Sequence, residues 1–91
     1  MIRIVIAEDQ QMLLSALASL IQLEDDIEVA AQVTDGRKAL DAIRTLKPDI
    51  CLLDIEMPGM SGLDVAEAVR RERLDCRIMI VTTFSRSGYL Q

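Results

Sequence analysis

The chain alternates between two hydrophobic periods, and this alternation limits the possible fold more than any other feature. Short apolar runs at Ile2–Ala7, Ile50–Leu53 and Arg77–Thr82 are rich in β-branched residues, which is typical of strands that are covered on both faces. The segments between them carry apolar residues every three to four positions, the spacing of an amphipathic helix. Such alternation predicts an α/β fold with a parallel sheet and helices on both of its faces.

The first helix is predicted over Gln10–Leu23 and is followed by a strand over Glu28–Val33. That strand alternates apolar with polar side chains, so we expect it to be half-exposed at an edge of the sheet. The i, i+3, i+4, i+7 rule predicts one buried stripe on the first helix, made of Leu13, Ala16, Leu17 and Leu20.

Two further helices are marked by the residues at their ends. The second follows a turn at Asp35 and Gly36 and ends before Pro48, because proline cannot continue a helix. The third is opened by Ser61 and Asp64, which form an S-x-x-D capping signature. The buried stripes are predicted as Ala39, Ile43 and Leu46 in the second helix and Gly62, Val65, Ala66 and Val69 in the third.

Charge and cysteine content exclude several classes of function. Ten basic against fifteen acidic residues give a net charge of −5, the wrong sign for direct DNA binding. Two cysteines and no histidine make neither a disulfide framework nor a zinc site, so free thiols in the cytoplasm are expected. The apolar run that follows Met1 stops at Glu8, too early for a signal peptide or a spanning helix, and no membrane association is expected.

A chain of 91 residues forms one domain at most. The fourth strand, Arg77–Thr82, is apolar on both faces, yet no strand pattern follows it. An exposed apolar edge promotes aggregation. We therefore expect a fifth βα unit of roughly 30 residues to be missing from this chain or supplied by a second copy in a strand-swapped homodimer.

Polar residues follow the predicted strands at the edge where open α/β sheets bind ligands. Glu8 and Asp9 follow the first strand, Asp54 the third, and Thr82 ends the fourth. Carboxylates that converge in a cleft repel one another unless a cation neutralises them. Mg²⁺ binds one or two carboxylates together with other oxygens, and the main-chain carbonyl of Glu56 is a candidate for a further ligand.

Each of these residues also has an ordinary structural explanation. Asp9 is suited to cap the first helix, and Asp54 to begin the turn that leads to Gly59. Thr82 alone is a common strand-end hydroxyl, and Glu56 is a typical solvated loop acid. The joint arrangement favours function, because independent caps and turns need not fall at the ends of neighbouring strands.

The sequence has no P-loop, and the segment Gly59–Gly62 is too short for a dinucleotide fingerprint. A carboxylate in a metal site without His, Ser or Cys partners leaves one covalent chemistry open. An aspartate can attack a phosphoryl group to form an acyl phosphate while the metal offsets the developing charge.

Three segments, IVIAED at 4–9, LLDIEMPGMSG at 52–62 and IVTT at 80–83, resemble the receiver domain of two-component response regulators. The resemblance extends over all 91 residues and is strongest to receivers of transcription factors with a LuxR-type helix-turn-helix. It implies a flavodoxin-like, doubly wound sheet with strand order 2-1-3-4 and the fifth unit missing, and residues 1–91 as a partial receiver domain.

The resemblance also implies a role for each site residue. Asp54 is the phosphoacceptor and takes its phosphoryl group from a sensor histidine kinase. Glu8 and Asp9 match the acidic pair that holds Mg²⁺, and Glu56 lends its carbonyl. Thr82 and Thr83 match the switch hydroxyl and its small neighbour. DNA is then reached only through an output domain, and the domain assists only its own phosphorylation and dephosphorylation.

Two other functions stay open at this point. Asp54-x-Glu56 weakly resembles the nucleophile motif of haloacid-dehalogenase-type phosphatases, which need further acidic and basic motifs. A pseudo-receiver that binds partners or dimerises without phosphorylation is the second alternative. Turnover of a phosphate ester would favour the first, and absence of Mg²⁺ affinity the second.

Overall fold

The computed structural model describes residues 1–81, and the seven predicted strands and helices are all present there. Within these residues, no helix is long and apolar enough to cross a membrane. The elements are, in chain order, β1 (Ile2–Ala7), α1 (Gln11–Ile21), β2 (Ile27–Val33), α2 (Gly36–Leu46), β3 (Ile50–Asp54), α3 (Gly62–Arg71) and β4 (Arg77–Val81).

The four strands form one parallel sheet with the order β2-β1-β3-β4. This confirms the predicted flavodoxin-like order. The half-exposed strand β2 lies at one edge, as its alternating pattern predicts, and its register against β1 shifts between Ile4 and Val5 so that Ala30 bulges out. Bulges are common at sheet edges, where they locally disrupt the ladder.

The core lies in two layers, one on each face of the sheet. Alternate residues of a strand point to opposite faces, so Val5 and Ala7 pack beneath α2 and α3, whereas Ile4 and Ile6 pack beneath α1. The two layers hold both sides of β1 and β3 in place. As a result, the carboxyl ends of these central strands are fixed relative to each other.

The buried face of α1 differs from the prediction. Leu14 and Ala18 are buried, whereas Ala16 is exposed and Leu20 is 64% exposed. Apolar residues are adjacent in this helix, as in Leu13-Leu14, so the period alone fits two neighbouring stripes. Contact with the sheet selects the stripe that contains Leu14.

The capping box of α3 is confirmed. The Ser61 hydroxyl accepts from the Asp64 amide at 3.1 Å, and the Asp64 carboxylate accepts from the Ser61 amide at 3.2 Å. The predicted stripe needs one correction, because Ala68 is buried and Ala66 is only half-buried. The box fixes where α3 begins, and with it the end of the loop that follows β3.

Strand β4 is the edge of the sheet within residues 1–81. Its apolar side chains are only partly covered among these residues, since Met79 is 50% and Ile80 is 38% exposed, which agrees with the exposed apolar edge that the sequence predicts. The predicted last strand residue, Thr82, lies outside the described residues. The expected fifth unit and the strand-swapped homodimer stay predictions.

Candidate functional site

Three of the predicted site residues meet at the carboxyl edge of the sheet. Ala7 pairs with Leu53 in the β1–β3 register, so the residues that follow them along the chain, Glu8 and Asp54, lie at the same level. One carboxylate oxygen from each of Glu8, Asp9 and Asp54 lies within 4.8 Å of the others. We call these three residues the acidic cluster.

Hydrogen bonds of the backbone hold Glu8 where the strand ends. Its amide donates to the carbonyl of Val33 at 3.1 Å, so the pairing of β1 with β2 continues one residue beyond the strand. Its carboxylate accepts from the Gln10 amide at 2.8 Å. The N-cap residue of α1 is Gln10, so Asp9 does not occupy the capping position that its alternative explanation requires.

Burial makes the acidic cluster electrostatically unusual. The side chains of Glu8 and Asp54 are only 2% and 3% exposed, and Asp9 is half-buried. The pKa of Glu8 is raised to about 7, mainly by burial and also by a side-chain hydrogen bond with Asp9 and the charges of Asp54 and Asp9, although the hydrogen bond from the Gln10 amide lowers it. A buried group of like charges needs protons or a cation.

The acidic cluster fits a hard divalent cation. Mg²⁺ prefers oxygen ligands, commonly one or two carboxylates with water and phosphate oxygens completing the octahedron. Glu8 and Asp54 are almost fully buried, and binding of a cation would compensate both the burial of their charges and their mutual repulsion. The residues that would hold Mg²⁺ are thus Glu8, Asp9 and Asp54.

The raised pKa of Glu8 predicts how the stability of the metal-free chain depends on pH. The folded chain holds this proton up to a pH of about 7, whereas the unfolded chain releases it near the ordinary value of 4.5. The contribution of Glu8 to stability is therefore complete below 4.5 and is lost as the pH rises to about 7. We expect Glu8→Gln to stabilise the metal-free chain more at pH 8 than at pH 5, as measured by urea unfolding in EDTA; an equal effect at both pH values would contradict the prediction.

The loop that follows Asp54 approaches the backbone of α3 closely. The Gly62 amide donates to the carbonyl of Ile55 at 2.8 Å, and a Cβ atom at position 62 would lie 2.4 Å from the carbonyl oxygen of Asp54. Only glycine allows this approach. The contact fixes Asp54 from the side of the helix, in addition to its pairing with Val81 in β4.

The same loop forms an open depression beside the acidic cluster. Half-buried Glu56 lies in the wall of this depression together with Asp9, and the role of its main-chain carbonyl as a metal ligand stays a prediction. The lining residues of the depression are Asp9, Ile55, Glu56, Met57, Pro58 and Ser61.

Two of the predicted site residues lie outside the part of the chain that the structure describes. Thr82 and Thr83 lie outside residues 1–81, so their roles stay predictions. The sequence pattern predicts only a turn at Gly36, but in the structure Gly36 lies against Met60 of the loop after Asp54. Glycine has a low helix propensity, so a glycine in the first turn of a helix is the sequence signal that could indicate such a close contact.

A doubly wound sheet with an acidic cluster at the end of β1 and β3 defines the class of protein. The sequence model of the response regulator receiver domain family matches residues 4–91 of this chain. The chain belongs to this family. The membership predicted from the three sequence segments is thus confirmed.

Two relatives in Bacillus subtilis (strain 168) match all 91 residues. The transcriptional regulatory protein DesR is 54% identical, and the uncharacterized transcriptional regulatory protein YvfU is 52% identical. The chain spans 45% and 46% of their lengths, respectively. This similarity therefore concerns less than half of each relative.

The fold is similar to solved receiver structures. A DNA-binding response regulator of the LuxR family from Staphylococcus aureus is 43% identical with a TM-score of 0.88, and the match covers 99% of this chain and 75% of that one. A NarL signal receiver domain from Mycobacterium tuberculosis is 31% identical with a TM-score of 0.89, covering 97% and 71%. The chain is therefore a receiver domain of the LuxR-family type of response regulator.

Proposed function

We propose that this chain, as a partial receiver domain over residues 1–91, is a phosphorylation-operated switch that accepts a phosphoryl group on Asp54. The observation that carries the proposal is the acidic cluster, in which carboxylate oxygens from two strand ends lie within 4.8 Å of one another. Such a group of buried like charges is costly without a functional cation. Membership in the receiver family adds a second, independent line of support.

The transfer is a displacement at phosphorus. One oxygen of the Asp54 carboxylate attacks the phosphorus atom, and the bond from phosphorus to the donor atom breaks with its electron pair going to the donor. The product is an acyl phosphate on Asp54. When bound, Mg²⁺ supplies compensation for the negative charge that develops on the phosphoryl oxygens.

The surrounding residues hold the reacting groups in position. Glu8 and Asp9 hold the metal beside Asp54, and the main-chain carbonyl of Glu56 is the proposed neutral ligand from the loop. Gly62 fixes Asp54 through the close approach to its carbonyl oxygen. The nucleophile is thus held on a rigid strand end while the donor enters from the open depression.

The same proposal assigns the partners and the output. The donor is a sensor histidine kinase, and modification adds about −1.5 to −2 charges at the sheet edge. The hydroxyl of Thr82, with Thr83 beside it, responds to that charge and biases a two-state loop. Transcription is regulated through a DNA-binding output domain. The receiver acts as a signalling domain and not as an enzyme with multiple turnovers.

The proposal is tested by intact-mass spectrometry of the chain after incubation with acetyl phosphate. With Mg²⁺ we expect one phosphoryl group per chain, and with EDTA none. Neutral hydroxylamine should remove the group, because it cleaves acyl phosphates and leaves phosphate esters of serine and threonine intact. Continuous release of phosphate without accumulation of labelled chain would instead favour a phosphatase, and absence of Mg²⁺ binding a pseudo-receiver.

A further inference from the structure

Gly36 begins α2, yet it lies against the loop that follows β3. Its amide donates to the carbonyl of Pro58 at 3.4 Å. A Cβ atom at position 36 would lie 2.0 Å from the carbonyl oxygen and 2.7 Å from the carbonyl carbon of Met60. Because both are backbone atoms, no change of side-chain rotamer can make room, and helix or loop would have to move.

The packing decides which of the two would move. Helix α2 is anchored by Ala39, Leu40 and Ile43, which are at most 5% exposed and belong to the core beneath the helix. The loop is held less tightly, since Pro58 and Gly59 are exposed and only the half-buried side chains of Met57 and Met60 pack against the same core. Moving the helix would open a close-packed core, so a side chain at position 36 displaces the loop instead.

The ends of the loop restrict where that displacement goes. Asp54 is the last residue of β3 and pairs with Val81, and Gly62 is fixed by its hydrogen bond to the carbonyl of Ile55. Only the middle of the loop is left to shift. That part contains Glu56, whose main-chain carbonyl is the proposed metal ligand, whereas the acidic cluster keeps its support from the strands.

We propose that Gly36 is a positioning residue for the metal site. Its missing side chain lets the first turn of α2 press against Pro58 and Met60, and this contact sets the path of the loop that presents the Glu56 carbonyl. The inference rests on the proposed function, because it concerns the same Mg²⁺ site. It adds that a residue of another helix, with no ligand atom of its own, controls the affinity of that site.

The test is the dissociation constant for Mg²⁺, measured by isothermal titration calorimetry on wild type and Gly36→Ala. We expect the variant to bind Mg²⁺ about tenfold more weakly, the effect typical of losing a group that orients a metal ligand. The amide resonances of Glu56 and Met57 should shift in the variant's NMR spectrum. Far-UV circular dichroism before each titration shows that the variant is folded.

The matched control is Ile43→Val, which destabilises the same helix from its buried face and leaves the contact of Gly36 with the loop in place. It should lower the denaturation midpoint and leave the dissociation constant within twofold of wild type. If Gly36→Ala also stays within twofold of wild type while wild type binds Mg²⁺, the inference is overturned and the proposed function stands. If wild type binds no Mg²⁺, the proposed function itself fails.

A second pair of variants decides the matter if Gly36→Ala does not fold. The Asp35 carboxylate caps α2 by accepting from the Lys38 amide at 2.8 Å. Asp35→Ala frees the first turn, whereas Asp35→Asn keeps a capping oxygen and has the same net charge as the alanine variant. We expect Asp35→Ala to bind Mg²⁺ about threefold more weakly than Asp35→Asn, because a helix cap makes only a modest contribution to stability, and equal affinities would overturn the inference.

Discussion

Asp54→Asn is expected to abolish phosphorylation of the chain by acetyl phosphate and Mg²⁺. The amide is nearly the same size as the carboxylate, but it lacks the nucleophilic oxygen that forms the acyl phosphate. Loss of the nucleophile in covalent group transfer commonly lowers the rate by ~1,000-fold or more. Intact-mass spectrometry over a time course measures the effect directly.

The control for this variant is Asp41→Asn. Asp41 lies on the exposed surface of α2, where its carboxylate pairs weakly with Arg44 at 3.5 Å. The substitution makes the same chemical change outside the acidic cluster, and phosphorylation should proceed at the wild-type rate. Equal labelling of Asp54→Asn and wild type, sensitive to hydroxylamine, would place the acceptor at another carboxylate.

The order of strands and helices can be predicted from the sequence because hydrophobic period is a local property. Ile2–Ala7 and the capping box at Ser61 are recognisable within a few residues, and the structure has them at the predicted positions. The buried face of α1 cannot be predicted in the same way. Adjacent apolar residues such as Leu13 and Leu14 allow two stripes, and only contact with the sheet decides between them.

The acidic cluster can also be predicted, because parallel strands end at a common edge and Glu8, Asp9 and Asp54 directly follow or end such strands. The raised pKa of Glu8 cannot, since it depends on burial that only the packed structure determines. Nor can the contact of Gly36 with Met60. This contact depends on how the first turn of α2 packs against the loop that follows β3, and no local pattern contains that information.

Without metal, the acidic cluster should make wild type less stable than Asp54→Asn. The carboxylate oxygens of the acidic cluster lie within 4.8 Å of one another, and two unit charges at that upper limit repel by about 3 kcal/mol at an effective dielectric constant of ~20. At pH 8 Glu8 is mostly ionised, because its pKa is about 7, so we expect the variant to gain about 2 kcal/mol. Below pH 6 Glu8 holds its proton, and the gain should be smaller.

Mg²⁺ should reverse this order of stabilities. A cation that binds only the folded chain stabilises it by about 2.7 kcal/mol at one hundred times its dissociation constant. Asp54→Asn has lost a charged ligand and should gain far less, so wild type becomes the more stable of the two. Urea unfolding at pH 8, with EDTA and then with saturating Mg²⁺, measures the difference in unfolding free energy between the variant and wild type under both conditions. A variant that is less stable than wild type in EDTA would show that Asp54 is a structural carboxylate, because only mutual repulsion within the acidic cluster makes its removal stabilising.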